Sequence, residues 1–218
     1  MRMTNTSIYS RTSNVTLEKD LLNKRHTGFE HVVVLLTHLR MAWLLEHLPP
    51  RLVWAIYVGI NGFVTIGLLA LLALVTGSPF VFPSLGPTAY LFFFSPLAEA
   101  SSPRNTILGH SIGLICGYAA FAITAGFGPP FASWGGAHAP RVLAAALSLA
   151  ATGVLMALLR VSHPPAGATT LIVALGIISQ PKELVVIEVA VVLLTAQAFL
   201  INRIAGIPYP LWKAVQPS

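Results

Sequence analysis

Ser162-His163-Pro164-Pro165-Ala166-Gly167-Ala168-Thr169-Thr170-Leu171 is a polar, proline-kinked break between two long apolar runs. Proline is tolerated in the first turn of a helix, where its missing N–H would have been unpaired anyway, so the stretch predicts a helix start inside a membrane protein. The first amides of such a helix lack internal partners and sit at the positive end of the macrodipole; away from water they call for an oxygen acceptor. The small and hydroxylated residues that follow leave those amides open, which suits an anion.

The same pattern stands earlier in the chain. Pro83, Gly86 and Thr88 recur at Pro164, Gly167 and Thr169, each pair 81 positions apart. Pro50-Arg51 opens the apolar run 52–75 as Pro140-Arg141 opens 142–159, and Pro103-Arg104 opens 105–127 as Pro181-Lys182 opens 183–201. The chain therefore reads as an internal duplication, each half a spanning helix, a short proline-broken helix and a second spanning helix. The long runs reach the roughly 20 residues that cross a bilayer, and the short ones, 83–95 and 164–179, do not. Six crossings with inverted repeats follow if the short helices complete their passage with extended lead-ins. Four spans and two re-entrant helices follow if they turn back. Six is favoured, because it puts Arg104 and Arg160 inside and the uncharged 128–139 loop outside.

Composition agrees with lipid as the solvent. The chain has 218 residues, 55% of them hydrophobic and only 9% charged, against about 25% charged in a soluble domain. The net charge of +6 does not point to nucleic acid, since about half the basic residues lie in the first 51 positions and no basic stripe with interleaved aromatics occurs. Cys116, the single cysteine, excludes an intrachain disulfide and reads as a small core residue.

The organisation that follows is a disordered cytoplasmic tail over 1–28, an interfacial amphipathic helix over 29–49, membrane repeats over 50–127 and 140–202 joined by the 128–139 loop, and a C-terminal tail over 203–218. His31, His38 and His47 accompany Trp43 in the second segment, whose charge density suits the membrane surface rather than its interior. Without a carboxylate at matched spacing, these histidines read as a solvated face and not as metal ligands. Both termini are expected in the cytoplasm and the protein in the plasma (inner) membrane of a bacterium.

The His163-Pro164-Pro165 tripeptide with the following Ala-Gly-Ala-Thr-Thr, the Pro83-Ser84-Leu85-Gly86-Pro87-Thr88-Ala89 run, and Pro103-Arg104-Asn105 with Gly109-His110 together resemble the HPP family of integral membrane proteins. The resemblance spans residues 50–210. It implies a small polytopic membrane protein, with nitrite transport attributed to plastid and cyanobacterial members.

The candidate substrate-binding residues are Ser84, Gly86 and Thr88 in one broken helix, and His163, Gly167, Thr169 and Thr170, next to Ser162, in the other. Two such helix starts face to face would form an anion cradle near the midplane, buried because unpaired amides in lipid are costly. The same residues also suit tight packing, with glycine letting helices approach and threonine bonding back to carbonyls. His110 and Glu188 each lie seven residues after a repeat-matched proline, so they could face one another as a proton relay. Arg104 and Arg160 could draw anions inward.

Hydrolase, phosphate-loop and nucleotide motifs are absent, and no Asp follows Asp20. The chain is therefore expected not to be an enzyme, and to need no metal or cofactor. The expected function is a transporter or channel for a small monovalent anion, nitrite by the resemblance; a scaffold or sensory module without transport is the alternative. Expected partners are the anion, the lipid bilayer and, as an option, further copies of the chain, but no nucleic acid.

Overall fold

The computed structural model describes residues 41–124 and 139–214. The tail at 1–28, the histidines His31 and His38, and the loop up to residue 138 lie outside the described residues. Two compact units divide the chain at Leu48 and Pro49. The first contributes helix α1 (Met41–His47), in which His47 Nδ1–H donates to the Trp43 carbonyl at 2.8 Å and the two rings stack.

The second unit holds α2 (Pro50–Thr76), α3 (Leu85–Phe94), a 3-10 turn (Glu99–Ser101), α4 (Pro103–Thr124), α5 (Ala139–Leu159), α6 (Ala166–Ala174) and α7 (Pro181–Ile204). The protein is all-α among the described residues. The order long, short, long occurs twice, as the sequence reading expects. Helices α2, α4, α5 and α7 are long and apolar enough to cross a membrane. By contrast α3 and α6, with 10 and 9 residues, extend only about 15 Å at 1.5 Å per residue.

Both short helices start later than the prolines suggest. Pro164 and Pro165 form a turn in which the Ala166, Gly167 and Ala168 amides donate to the carbonyls of His163, Pro164 and Pro165 at 3.0–3.1 Å. The first turn is thus tightened onto its own chain. At its far end α6 stops where Gly176, at φ 75°, takes the left-handed conformation and lets Ile177 N–H reach the Ile172 carbonyl. Helix α5 stops in the same manner, with Val161 N–H on the Met156 carbonyl, but the left-handed residue there is Arg160, at φ 52°.

Hydrogen bonds tie one end of the unit together. Arg104 donates from Nη2 and Nη1 to the Leu159 and Arg160 carbonyls at 3.0 and 2.9 Å, and from its backbone N–H to the Trp212 carbonyl at 3.0 Å. Asn202 donates to the Phe92 carbonyl at 3.1 Å and accepts from the Tyr57 hydroxyl at 2.9 Å. Tyr209 adds a bond from its hydroxyl to the Ser101 carbonyl, and burial raises its phenol above the ordinary value, so it stays a donor. The starts of α2 and α4 and the ends of α3, α5 and α7 therefore meet at this end.

Helix α6 runs beside α4 in the same direction, because Gly109 faces His163, Gly113 faces Ala166 and Thr170, and Gly117 faces Thr170 and Val173. These three glycines, four residues apart, line one face of α4. A Cβ on any of them would come within 2.7–2.8 Å of its neighbour, and their absence of side chain is what lets the helices touch. Successive helices alternate in direction, α2, α4 and α6 leaving the Arg104 end and α3, α5 and α7 returning to it.

Helix α4 is the central element, packed against α5, α6 and α7. Half of its membrane-length window is buried, against 11% for α2. The outer helices present large apolar side chains outward, Phe63 and Leu74 at 81% exposure, an arrangement suited to lipid and not to water.

Candidate functional site

The polar side chains of this apolar unit converge where α3, α4 and the start of α6 meet. Thr88 comes from α3, His110 and Thr106 from α4, His163 from the turn ahead of α6, and Thr169 from α6. All five are at most 1% exposed. The close α4–α6 approach made by Gly109 and Gly113 brings His163 and Thr169 up to α4.

Thr88 Oγ1 lies 3.0 Å from His110 Nε2 and 3.2 Å from His163 Nε2, and donates to the Ser84 carbonyl at 3.1 Å. The two Nε2 atoms are 3.2 Å apart, with ring centroids at 4.9 Å. On the outer sides, His110 Nδ1 is 2.7 Å from Thr169 Oγ1, and His163 Nδ1 is 2.7 Å from the Ala100 carbonyl. Thr106 Oγ1 lies at 3.5 Å from the same nitrogen.

The partners set the hydrogens. A carbonyl only accepts, so His163 Nδ1 carries its proton, and in the neutral ring Nε2 is then an acceptor. With the Thr88 hydrogen given to the Ser84 carbonyl, both Thr88 Oγ1 and His163 Nε2 face His110 Nε2 as acceptors, so His110 is assigned its hydrogen there and its Nδ1 accepts from the Thr169 hydroxyl. The neutral centre is therefore satisfied throughout as one directed chain from Thr169 to Ala100. Each group left unpaired at this depth would cost about 1–3 kcal/mol.

This arrangement differs from the cradle of open amides that the sequence suggests. The amides at the α6 start are spent on residues 163–165. Gly86 is exposed with open space where a Cβ would sit, and Gly167 would meet only Leu149. Thr170 belongs to a neighbouring pair, bonded to the Ala166 carbonyl and to Thr152, each at 3.0 Å. Ser162 is exposed. Ser84 is fully buried, and its hydroxyl has no partner among the described residues. Thr88, Thr169 and His163 do come together, on His110.

His110 and Glu188 are not joined. Glu188 Oε1 accepts from Ser111 at 2.8 Å, while Oε2 is buried without a partner among the described residues. Residues 110 and 111 point about 100° apart around a helix, so the carboxylate belongs to another face of α4. Arg104 is committed to capping the end of α5 and to Asn105 Oδ1, 3.0 Å away.

A pocket of about 560 Å³ opens beside the centre at the Arg104 end, lined among others by Glu99, Met156, Arg160, Ser162, His163 and Pro164. Residue-type reasoning missed the His110–His163 pair and the α4 glycines. The four-residue spacing of Gly109, Gly113 and Gly117 was the available signal for the close crossing.

No group of three or more His, Cys, Asp or Glu that could hold a metal occurs among the described residues. Comparison with curated proteins and with solved structures finds no match. The family model described as HPP, transmembrane region, matches residues 47–210 and so takes in every element from α2 to the Tyr209 anchor; the chain belongs to the HPP transmembrane family.

Proposed function

We propose that this membrane protein is a transporter or channel for a small monovalent anion, with nitrite, taken from the family resemblance, as the first candidate. The observation that carries the reading is the buried imidazole and hydroxyl centre, to which both halves contribute, Thr88 from one and Thr169 from the other. Polar groups at depth in a membrane protein are costly and mark substrate or proton routes. The adjoining pocket, with Glu99, Arg160 and His163 in its wall, offers an approach to the centre in which the Arg160 guanidinium is the group that can meet an anion.

This reading takes six crossings. The alternating helix directions support it, with 77–84 and 175–180 completing the passages of the two short helices. The Arg104 end, which also carries Arg51, Arg160, Arg203 and Lys213 by position, is then cytoplasmic by the excess of basic residues, with Arg141 and Lys182 opposite.

The test is flux in proteoliposomes of purified protein, nitrite against nitrate, formate and chloride, with empty liposomes run at every pH because nitrous acid crosses bilayers unaided. Saturable flux of at least one anion, lost on replacing His110, is the expected result. Flux no faster than in empty liposomes for all four would overturn the reading.

A further inference from the structure

The centre has an unusual electrical property. It is satisfied when neutral, and it can also take one more proton without moving a heavy atom. A proton placed on His110 Nδ1 requires that the Thr169 hydroxyl, 2.7 Å away, turn from donor to acceptor and swing its own hydrogen away from the ring. His110 would then donate from both nitrogens, to Thr169 and to the Nε2 of His163, and no hydrogen-bonding atom of the two rings would be left over.

What that protonated state lacks is a counter-charge. No carboxylate is bonded to either ring among the described residues. From α3 the rings meet Thr88, with Ser84 behind it; from α6, Thr169; from the 3-10 turn, the Ala100 carbonyl. On α4 the neighbours are Thr106 and the packed Gly109, and α5 brings Met156 near Gly109. Glu188 is held by Ser111 on another face of α4, and Arg104 is spent on carbonyls. Glu99 and Arg160 both line the pocket beside His163 and offset one another in charge. An imidazolium here would be a buried, unpaired cation, and an anion beside a neutral pair would be an equally unpaired anion. Both are expensive away from water, whereas the two charges together largely cancel.

We propose that the His110–His163 centre takes up one proton with each monovalent anion, so that the bound and transported unit is an anion plus a proton and neither charge is held alone. The proposal rests on the anion reading above and names its coupling. It is a linkage, so each partner tightens the other's binding by the same factor. Above the pH at which the empty centre protonates, anion affinity falls tenfold for every pH unit.

Calorimetric titration of the purified full chain in detergent micelles with sodium nitrite, in two buffers of different protonation enthalpy at the same pH, counts the protons taken up. Detergent removes the leak of nitrous acid through lipid. One proton per nitrite bound is expected, with affinity falling tenfold from one pH unit to the next. Nitrite binding with no proton uptake would overturn the coupling and leave the anion reading standing; where nitrite does not bind, nitrate, formate and chloride are titrated in its place, and binding of none of the four would overturn both. Folded His110→Gln should bind nitrite at least tenfold more weakly, and the binding that remains should take up no proton. If it still takes up one, the proton lies elsewhere and the assignment to this pair is wrong. The wild-type count decides the coupling by itself if the variant does not fold.

Discussion

Thr88 and Thr169, 81 residues apart and matched in the repeat read from the sequence, hold opposite nitrogens of one imidazole. Thr88 lies 3.0 Å from Nε2 of His110 and Thr169 lies 2.7 Å from Nδ1. A histidine supplied by one half is thus clamped between equivalent hydroxyls of both. Thr88 Oγ1 also lies 3.2 Å from Nε2 of His163, so it touches both imidazoles.

Removing the clamp should be read as lost stability before lost transport. Thr169→Val keeps the side-chain shape and leaves His110 Nδ1 buried without a donor, at a cost of about 1–3 kcal/mol. Thr169→Ser restores the hydroxyl and should recover most of that loss. Thermal unfolding in detergent checks both variants. A valine variant as stable as wild type would show that this bond does not hold the centre.

The two classes of glycine should separate in the same assay. Gly113→Ala places a methyl group 2.8 Å from the Ala166 carbonyl and 2.9 Å from Thr170 Oγ1, and Gly117→Ala places one 2.7 Å from the Thr170 carbonyl. Backbone must move, so each should cost about 1–3 kcal/mol, as overpacking does in soluble cores. Gly86→Ala meets nothing within 4 Å and should be nearly silent. Equal losses at all three positions would contradict the close α4–α6 crossing.

The duplication made much of this legible and also misled in one place. Prolines ahead of apolar runs located all six helices of the membrane unit, since such starts and lengths are local properties. The 81-residue offset picked out Thr88 and Thr169 before any fold was known. His163 was singled out by the His-Pro-Pro start, but its pairing with His110 escaped, because the residue at its equivalent position is the buried Phe82 and repeat arithmetic assigns it no polar counterpart. Glu188 was matched to His110 by its place seven residues after Pro181, as His110 follows Pro103, but equivalence under a pseudo-axis does not amount to contact. The glycine face decided which side of α4 meets α6. The open amides failed for a local reason, since a Pro-Pro turn supplies carbonyls at the right spacing for the amides behind it.

Arg160 combines two roles that a single substitution should pull apart. Its left-handed backbone, at φ 52°, suits glycine better, by about 1 kcal/mol, while its side chain lines the pocket beside His163. Arg160→Gly should leave thermal stability equal or slightly raised. In proteoliposomes it should raise KM for the anion with little change in kcat, and the wild-type advantage should shrink as salt screens the charge. A salt-independent ratio of the two KM values would remove Arg160 from the approach path.

The course of the chain can be tested from outside the protein. In a background with the buried Cys116 replaced by alanine, single cysteines at Leu97, Ser162 and Leu211, all exposed, report on the end of the unit that Arg104 ties together. Cysteines at Thr76 and Lys182, also exposed, report on the other end. If α3 and α6 with their extended flanks complete two crossings, the first three should resist an impermeant thiol reagent added to intact cells and react after permeabilisation, whereas the last two should react at once. The re-entrant alternative predicts a different grouping. A short helix that turned back would put Leu97 on the same side as Thr76, because the chain between them would enter and leave by one face. Labelling of the Leu97 cysteine in intact cells, alongside Thr76 and apart from Leu211, would therefore refute six crossings, and it would separate the side of entry from the positively charged end.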